Sequence, residues 1–341
     1  MSDRPPPKVV TRADVARLAG VSTAVVSYVV NGGPRPVAPH TATRVRDAIA
    51  ILGYRPNLTA RALKLGTSGV LGLLVPDSSN PFYAELGLEI ERATSAKGLA
   101  LLLASSNSDR SLESRLIGDL AGRQLDGLVV AGTAGPPIPG VGRVPRVSTP
   151  IVYLDTPVPV PGYTTLSSNA QQGATLLTEH LRQVHGHKSV ALLMGTHSQP
   201  WRDGRELGWQ LAARNGNAAD PPIIRVPFTR EGGYEGGLQL LTVAAKKRAR
   251  AVLASSDLQA VGLLRAAHEL GIRVPEDLAI VAYDGTEESE YSWPPLTCAR
   301  QRVRDIAETA VQVIVDQAEP SHQTFDIDLV IRRSCGCTPT S

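Results

Sequence analysis

The chain has 341 residues, 42% hydrophobic and 20% charged, which predicts two or three globular domains and excludes a disordered chain. No apolar run approaches the roughly 18 residues that a membrane span requires, and the polar first eight residues lack the apolar core of a secretory signal. We therefore expect a cytoplasmic protein without a membrane partner. Residues 1–64 hold ten Lys or Arg against three acids, although the whole chain carries only +3. This basic arm indicates nucleic acid as the leading partner, with a solvated surface as the alternative.

The basic arm has the pattern of a helix-turn-helix. Thr11 to Asp14 forms a capping box where a helix should begin, and Gly20 should end that helix in a left-handed turn. Ser22 should then cap a second helix over 23–30, whose valines form an apolar stripe. Two short helices joined in this way are typical of a motif whose second helix enters the major groove of DNA. The side chains left to face outward from the second helix are Thr23, Ala24, Ser27 and Tyr28.

A third helix and a short basic segment complete the arm. Apolar spacing over about 39–52 predicts a helix that closes the small bundle. Residues 57–65 are good helix formers, but they are fewer than the roughly 12 that an isolated helix needs. We expect a coil there until DNA and a second copy of the segment fold it, with Leu63 as a wedge between base pairs of the minor groove. Alternatively, a stripe containing Leu58 and Leu65 packs on the body and Leu63 is merely exposed.

Several runs of residues carry a resemblance to a known family. The chain resembles the lactose-repressor/galactose-repressor (LacI/GalR) family of bacterial regulators over essentially its whole length. The runs are DVARLAGVS at 14–22, VSYVVNG at 26–32, LGYRPN at 52–57, ARAL at 60–63, VPDSSNPFYAE at 75–85 and VPEDLAIVAYD at 274–284. The resemblance implies a DNA-binding headpiece over 1–56, a hinge helix over 57–66, and an effector-binding and dimerisation domain over 67–341.

The resemblance also implies how DNA is bound. A homodimer, with a tetramer as the alternative, would place each recognition helix on one half of a palindromic operator, and paired hinge helices would insert Leu63 into the central minor groove. Ala24 has no hydrogen-bonding group and Tyr28 replaces the Arg or His common at its position, so no bidentate contact from Arg to guanine is available there. The implied DNA-binding residues are Thr11, Ser22, Thr23, Ala24, Ser27, Tyr28, Asn31, Tyr54, Asn57, Ala60, Arg61, Leu63 and Lys64.

The body alternates short apolar runs with helical stretches, which predicts α/β lobes built on mainly parallel sheets. The predicted strands are 70–75, 99–104, 128–131, 151–154, 190–194, 223–226, 252–254 and 278–283, and the helices between them include 85–97, 112–123, 170–184, 202–214, 234–246 and 258–270. The family resemblance implies a two-lobed, periplasmic-binding-protein-like (type I) core. Its first lobe would take about 67–167 and 294–318, and its second about 168–293 and 319–335.

Polar residues follow several of the predicted strands, and ligands of open parallel sheets bind at the carboxyl ends of strands. Carboxylates that accept hydroxyl hydrogen bonds, an Arg fork and an aromatic ring together suit a sugar-like polar ring. By resemblance, the fork is Arg205, the stacking ring Phe228 and the carboxylate Asp284. Alternatively, the aspartates cap turns and Phe228 is a core residue, and Ser256 stands where many family members have Asn. The candidate effector-binding residues are Ser78, Phe82, Tyr83, Asp155, Arg205, Phe228, Ser256 and Asp284.

Catalytic, cofactor and metal sites find little support in the sequence. The three cysteines predict free thiols, because Cys335-x-Cys337 alone supplies too few ligands for zinc. His180, His185 and His187 lack the spacing of a zinc hydrolase and are expected to be structural. No Gly-x-Ser-x-Gly elbow or phosphate-binding loop is present. We expect a non-enzymatic regulator without cofactor or metal; a solute-binding receptor or a small-molecule enzyme is the rival.

Overall fold

The computed structural model describes residues 10–33, 35–55, 67–132, 149–196, 202–214, 221–243 and 248–338. The chain divides into two units, 1–68 and 69–341, and each has its own hydrophobic core. Of the helices in the described ranges, none is by itself long and apolar enough to cross a bilayer. One bent pair, Arg12–Ala19 and Thr23–Asn31, meets the length and composition criterion only jointly.

The first unit contains the three predicted helices α1 (Arg12–Ala19), α2 (Thr23–Asn31) and α3 (Pro39–Leu52). Both arms of the capping box at Thr11 form, and Gly20 ends α1 with a left-handed φ of 63°. The axes of α1 and α2 differ by 104°, which falls in the range of helix-turn-helix motifs. The three helices pack around a small core that contains Val15, Ala16, Ala19, Val26, Val45 and Ala48. The predicted helix-turn-helix is therefore confirmed.

The second unit is built on two six-stranded sheets. The strands are β1 (Val70–Val75), β2 (Ala100–Ser105), β3 (Gly127–Val130), β4 (Ile151–Leu154), β5 (Thr164–Ser168), β6 (Ala191–Gly195), β7 (Ile223–Val226), β8 (Ala251–Ala254), β9 (Ala279–Asp284), β10 (Thr297–Gln301), β11 (His322–Phe325) and β12 (Ile327–Val330). The first sheet has the order β11-β5-β4-β3-β1-β2 and the second β12-β10-β9-β8-β6-β7. Every pairing is parallel except β10 with β12. This confirms the predicted two-lobed α/β architecture.

Helices connect most of the successive strands, as is usual for parallel pairing, although β4 and β5 are joined by residues 155–163 without one. They are α4 (Pro81–Ala96), α5 (Arg110–Ala121), α6 (Ala170–Glu179), α7 (Gly204–Arg214), α8 (Arg230–Leu241), α9 (Asp257–Glu269), α10 (Glu287–Tyr291) and α11 (Val303–Val315). A π-helical segment, His180–Val184, continues α6. The register places Leu71 of β1 between Leu101 of β2 and Gly127 of β3, so the carboxyl ends of these strands share one edge of the sheet. The second sheet is aligned in the same way, with Val252 of β8 opposite Ile280 of β9.

The chain crosses between the lobes at different places from those expected. The first lobe contains β1–β5, α11 and β11, and the second contains β6–β10 and β12. The second crossing therefore follows Gln301 and the third lies at Asp326, whereas the lobe bounds implied by the resemblance put them near 293/294 and 318/319. The strands that were missed, β5 and β10–β12, interleave Thr, Ser, Gln or Asp with apolar residues and lack a continuous apolar run. The burial of β5 and β10 comes from tertiary contacts that the local pattern does not reveal.

Candidate nucleic-acid interface and candidate effector site

The second helix of the first unit presents one face that is built for contact rather than packing. Thr23 and Ala24 in its first turn are exposed, as is Asn31 at its end. Asn31 Nδ2 donates to Ser27 Oγ at 3.3 Å, so the two side chains stand together on this face. Tyr28 is half-buried, because Gly33 lies against its ring: a Cβ on Gly33 would meet Tyr28 Cδ1 at 2.3 Å. The face thus offers hydroxyl, amide and aromatic groups with defined positions.

The surface around this helix is cationic. The described part of the unit holds two aspartates, and Asp14 faces Arg17 at 3.1 Å in an exposed pair that is worth little. The exposed arginines, by contrast, are Arg12, Arg17, Arg35, Arg44, Arg46 and Arg55. A helix with an exposed polar N-terminal turn, in a unit whose exposed arginines outnumber its aspartates, is suited to bind a duplex with a phosphate backbone.

The other predicted DNA-binding residues divide between caps, packing and the segment outside the described ranges. Thr11 and Ser22 are exposed, and each uses its side-chain oxygen to cap a helix, accepting from the backbone N–H of Asp14 or Val25. Tyr54 is half-buried and packs against the headpiece core. The remaining candidates, which belong to the predicted hinge and lie outside the described residues, are Asn57, Ala60, Arg61, Leu63 and Lys64.

In the second unit, Arg205 is the centre of a preorganised polar cluster. Its Nε and Nη2 donate to the two carboxylate oxygens of Asp203 at 2.9 and 2.7 Å, and its Nη1 donates to the carbonyl of Ser255 at 2.9 Å. The guanidinium carbon lies 4.8 Å from the centre of the Phe228 ring and 5.5 Å from that of Tyr283. Only 19% of the Arg205 side chain is exposed, so this geometry is held largely away from water. A fork fixed in this way has two further N–H groups to offer a ligand.

Asp284 lies at the carboxyl end of β9 and connects the cluster to the interlobe crossing. Gln301 Nε2 donates to Asp284 Oδ1 at 2.9 Å, while Ser168 Oγ of the first lobe donates to Gln301 Oε1 at 2.7 Å. Burial raises the pKa of Asp284, the nearby Asp257 adds to the rise, and Arg205 opposes it. A chain of hydrogen bonds therefore runs from Ser168 in the first lobe through Gln301 to Asp284 in the candidate effector site of the second lobe.

Two first-lobe residues face the same cluster. Burial raises the pKa of the Tyr83 hydroxyl, and Asp155 and Asp284 raise it further, so Tyr83 stays a neutral phenol. Asp155 is open to solvent and has a left-handed φ of 54°. Desolvation by the surrounding protein still raises its pKa, and Arg205 lowers it. Tyr83 and Asp155 of the first lobe thus interact electrostatically with Arg205 of the second, which supports their assignment to one candidate site.

The remaining effector candidates have other local roles. Phe82 is buried and packs edge-on against Tyr83, with ring centres 5.1 Å apart. Ser256 is buried and caps α9, accepting from Gln259 N at 3.3 Å. Ser78 lies in an exposed turn after β1, and no contact recorded among the described residues draws it to the Arg205 cluster. Of the seven candidates other than Arg205, the structure therefore places Phe228 against the guanidinium, while Tyr83, Asp155 and Asp284 interact with it electrostatically.

Sequence reasoning missed the residues that hold this cluster in place. Asp203 clamps Arg205, Gln301 joins Asp284 to the other lobe, and Ser255 binds both Arg205 and the N–H of Gly195. The Asp-x-Arg spacing at 203–205 is the one local signal in the sequence for the contact between Asp203 and Arg205. Gln301 and Ser255 are positioned by β-sheet pairing and by the close fit of Gly195 against Phe228, which only the fold shows.

A second buried carboxyl, that of Asp257, adjoins the cluster. Asp257 Oδ2 accepts from the backbone N–H and the hydroxyl of Thr286, both at 2.7 Å, whereas Oδ1 has no partner among the described residues. Burial raises the pKa of Asp257 to about 7, against the lowering effect of Thr286, and Glu85 raises it too. The carboxyl therefore keeps a proton in the folded state at acidities where the unfolded chain has lost it.

Stability should consequently fall as pH rises between about 4 and 7, because the unfolded state binds fewer protons in this window. Asp257→Asn keeps an oxygen that can accept from Thr286 but has no carboxyl to titrate. The unfolding free energy of this variant should therefore depend less on pH. Some dependence on pH should remain, because the pKa of Asp284 is also raised. Urea unfolding at about pH 5 and about pH 8 measures the difference. The control is Asp277→Asn: Arg273 lowers the pKa of Asp277 to about 2, so the stabilisation from that pair is lost only on acidification. An unchanged slope in Asp257→Asn would refute the assignment.

Comparison with known proteins matches both units. The sequence model for "Bacterial regulatory proteins, lacI family" matches residues 11–57, and that for "Periplasmic binding protein-like domain" matches residues 178–335. The HTH-type transcriptional repressor PurR of Pectobacterium atrosepticum is 33% identical over 338 residues, covering 96% of this chain and 98% of that protein. The PurR of Pectobacterium carotovorum is 32% identical over 337 residues with the same coverage.

Solved structures give the same result. The Lac repressor dimer bound to operator and the anti-inducer ONPF has a TM-score of 0.81 and 26% identity, covering 96% of this chain and 99% of that chain. The complex of the transcriptional regulator CelR with cellobiose has a TM-score of 0.68 and 29% identity, covering 95% and 99%. The helix-turn-helix unit and the two-lobed unit therefore occur together, in this order, in proteins that control transcription.

Proposed function

Because this chain belongs to the LacI family of bacterial DNA-binding transcriptional regulators, we propose that it is a repressor that binds a palindromic operator as a homodimer and responds to a small effector in its interlobe cleft. Membership confirms the family resemblance and the expectation of a regulator rather than an enzyme. The dimer is supported by a structural neighbour that is a dimer on its operator. A tetramer is the alternative, which the mass of the protein in solution distinguishes. Its place of action is the cytoplasm, where the DNA lies.

The effector is a small polar ring, a sugar or sugar derivative. The observation that carries this proposal is the Arg205 fork, fixed by Asp203 and lying close to the ring of Phe228. The fork and the second oxygen of Asp284 can bind hydroxyls, while the aromatic ring covers an apolar ring face. Tyr83 and Asp155 supply contacts from the other lobe. The CelR neighbour binds the sugar cellobiose, which agrees with this chemistry.

The effector acts by changing the angle between the lobes. A ligand that bridges them stabilises one arrangement only through its differential affinity, with a coupling of about 1 to 3 kcal/mol. In the dimer this angle sets the spacing of the two hinge segments and hence whether they fold on DNA with Leu63 in the minor groove. The sign of this coupling decides the outcome: negative cooperativity between effector and operator releases the operator, and positive cooperativity strengthens operator binding.

The test is selection of genomic DNA fragments by the purified full-length protein, with and without candidate sugars. We expect one palindromic motif, and one sugar that shifts its recovery. Thr23→Ala with Tyr28→Ala should abolish enrichment of the motif, whereas Arg265→Ala, an exposed arginine on α9, should leave it intact. Leu63→Ala should weaken binding to the motif far more than binding to random duplex. Recovery of no sequence above a random competitor would overturn the proposal.

A further inference from the structure

Four metal-ligating side chains meet on the second lobe, and none of them belongs to the candidate effector site described above. His180 and His185 flank the π-helical segment after α6, and Cys335 and Cys337 lie in the turn after β12. One ligand atom from each lies within 4.8 Å of all the others. In the sequence, the spacing of the histidines and the Cys-x-Cys pair, each taken by itself, predict no metal site. The fold brings together residues about 150 positions apart.

The distances match the edges of a tetrahedron around zinc. With zinc bonds of about 2.0 Å to nitrogen and about 2.3 Å to sulfur, tetrahedral geometry places two nitrogens about 3.3 Å apart and a nitrogen and a sulfur about 3.5 Å apart. His180 Nε2 lies 3.3 Å from His185 Nε2, 3.4 Å from Cys335 Sγ and 3.6 Å from Cys337 Sγ. His185 Nε2 lies 3.4 Å from Cys337 Sγ. Four of the six edges therefore agree with tetrahedral zinc within about 0.2 Å, and the other two are no longer than 4.8 Å.

The local backbone is shaped to produce this arrangement. Histidines five positions apart point to different sides of an α-helix, but a π-helix, with its i→i+5 hydrogen bonding, brings such positions onto nearly the same side. The π-helical segment between His180 and His185 has this effect. Gly336, between the two cysteines, has a φ of 105° and passes the His185 ring so closely that a Cβ would lie 3.3 Å from it. The π-helical turn and the positive φ of Gly336 thus both help to bring the four side chains together.

The surroundings resemble the outer shell of a structural metal site. The hydroxyl of Thr297 lies 3.0 Å from Cys335 Sγ, in reach to donate to a thiolate, and Thr297 is itself held by the backbone N–H of Arg332 at 2.8 Å. Cys335 and Thr297 are buried, while the other three ligands are half-buried. Partners of this kind orient ligands and tune their affinity for metal.

We propose that His180, His185, Cys335 and Cys337 bind one zinc ion that pins the end of the chain to α6. Four protein ligands fill the tetrahedron, so the site is structural and closed rather than catalytic. On binding, each thiol releases its proton to water and the zinc–sulfur bonds form without any redox step. The role of the ion is to hold the C-terminal turn on the second lobe.

Metal analysis of the full-length protein, purified without chelator, tests the site. We expect about one zinc per chain after gel filtration, and about a 5 °C rise in the melting temperature when zinc is restored to chelated protein at about 100 times its dissociation constant. Cobalt added to the reduced, chelated protein should give the visible bands of a tetrahedral ion and a thiolate-to-cobalt charge-transfer band. Protein that holds no zinc and gives no thiolate–cobalt spectrum would overturn the proposal, as would a native Cys335–Cys337 disulfide.

Variants separate the four ligands from their neighbours. Cys337→Ser and His185→Ala should each lose bound zinc after gel filtration, while His187→Ala, whose ring centre is 6.4 Å from that of His185, should retain it. Cys298→Ser is the matched cysteine control outside the cluster. If a ligand variant misfolds, the cobalt spectrum of the unmodified protein still decides the question. Equal zinc content in Cys337→Ser and Cys298→Ser would contradict the assignment.

Discussion

Raising the salt concentration from about 50 to about 200 mM should weaken operator binding by about 10³- to 10⁵-fold. This range follows from counterion release if six to ten phosphates are contacted per dimer. Six arginines in residues 10–55 are exposed, so two copies of the headpiece have enough of them for six to ten phosphate contacts. Among these six, only Arg17 forms an ion pair with a described residue. Gel-shift titration over this range of salt gives the slope of log affinity against log salt directly.

Single substitutions assign the slope to particular arginines. An arginine that contacts one phosphate per chain contributes two contacts to a dimer, so its change to Gln should reduce the slope by about two without changing which sequence is preferred. Arg12, Arg44, Arg46 and Arg55 are the candidates. Arg265→Gln is the matched control, since this arginine is equally exposed and lies in the other unit. A nearly flat salt response of the unmodified protein would remove the electrostatic role of the headpiece.

The headpiece was predictable because its determinants are local. Thr11, Ser22 and Gly20 act on residues within four positions, and the structure starts and ends α1 and α2 within one residue of the boundaries they predict. Apolar runs such as that of β1 likewise predict buried parallel strands, because both faces of such a strand are covered. Polar residues at the ends of these strands then indicate a site, since strand direction fixes where those ends meet.

What the sequence did not reveal depends on contacts between distant residues. The sequence of β10, Thr-Cys-Ala-Arg-Gln, has no strand pattern, and the segment is identified as a strand only by its pairing with β9 and β12. The predicted lobe crossing was therefore wrong, because the chain crosses after β10 and not before it. Gln301 at its end became a link between the lobes through the same topology. His180 and Cys335 are in contact although they lie 155 positions apart in the sequence. His180 also begins a π-helical segment, which the spacing of apolar residues does not predict. Long-range topology therefore determines the parts of both sites that composition and spacing leave open.

Replacing Arg205 with Met should raise the effector concentration that half-maximally changes operator binding by at least about 30-fold. Truncating one partner of a buried, hydrogen-bonded charge pair costs about 2 to 5 kcal/mol, and here the loss includes every contact of the fork with the ligand. Arg205→Lys keeps the charge but not the planar fork, so it should restore only a small part of the response. The measurement is effector titration of operator binding, using the sugar found by fragment selection.

Operator affinity without effector separates loss of the site from loss of the fold. It should change by less than about threefold in Arg205→Met, because the arginine lies in the second unit and the DNA-reading helix in the first. The uncompensated Asp203 should lower the stability of the second unit, which urea unfolding reports independently. Arg225→Gln breaks a partly exposed pair between Arg225 on β7 and Glu206 on α7, the helix that carries Arg205, and should leave both readouts nearly unchanged. If Arg205→Met instead kept the half-saturation of the unmodified protein, the effector would bind somewhere other than around this guanidinium, and the cleft chemistry derived from it would fail while the DNA-binding assignment stood.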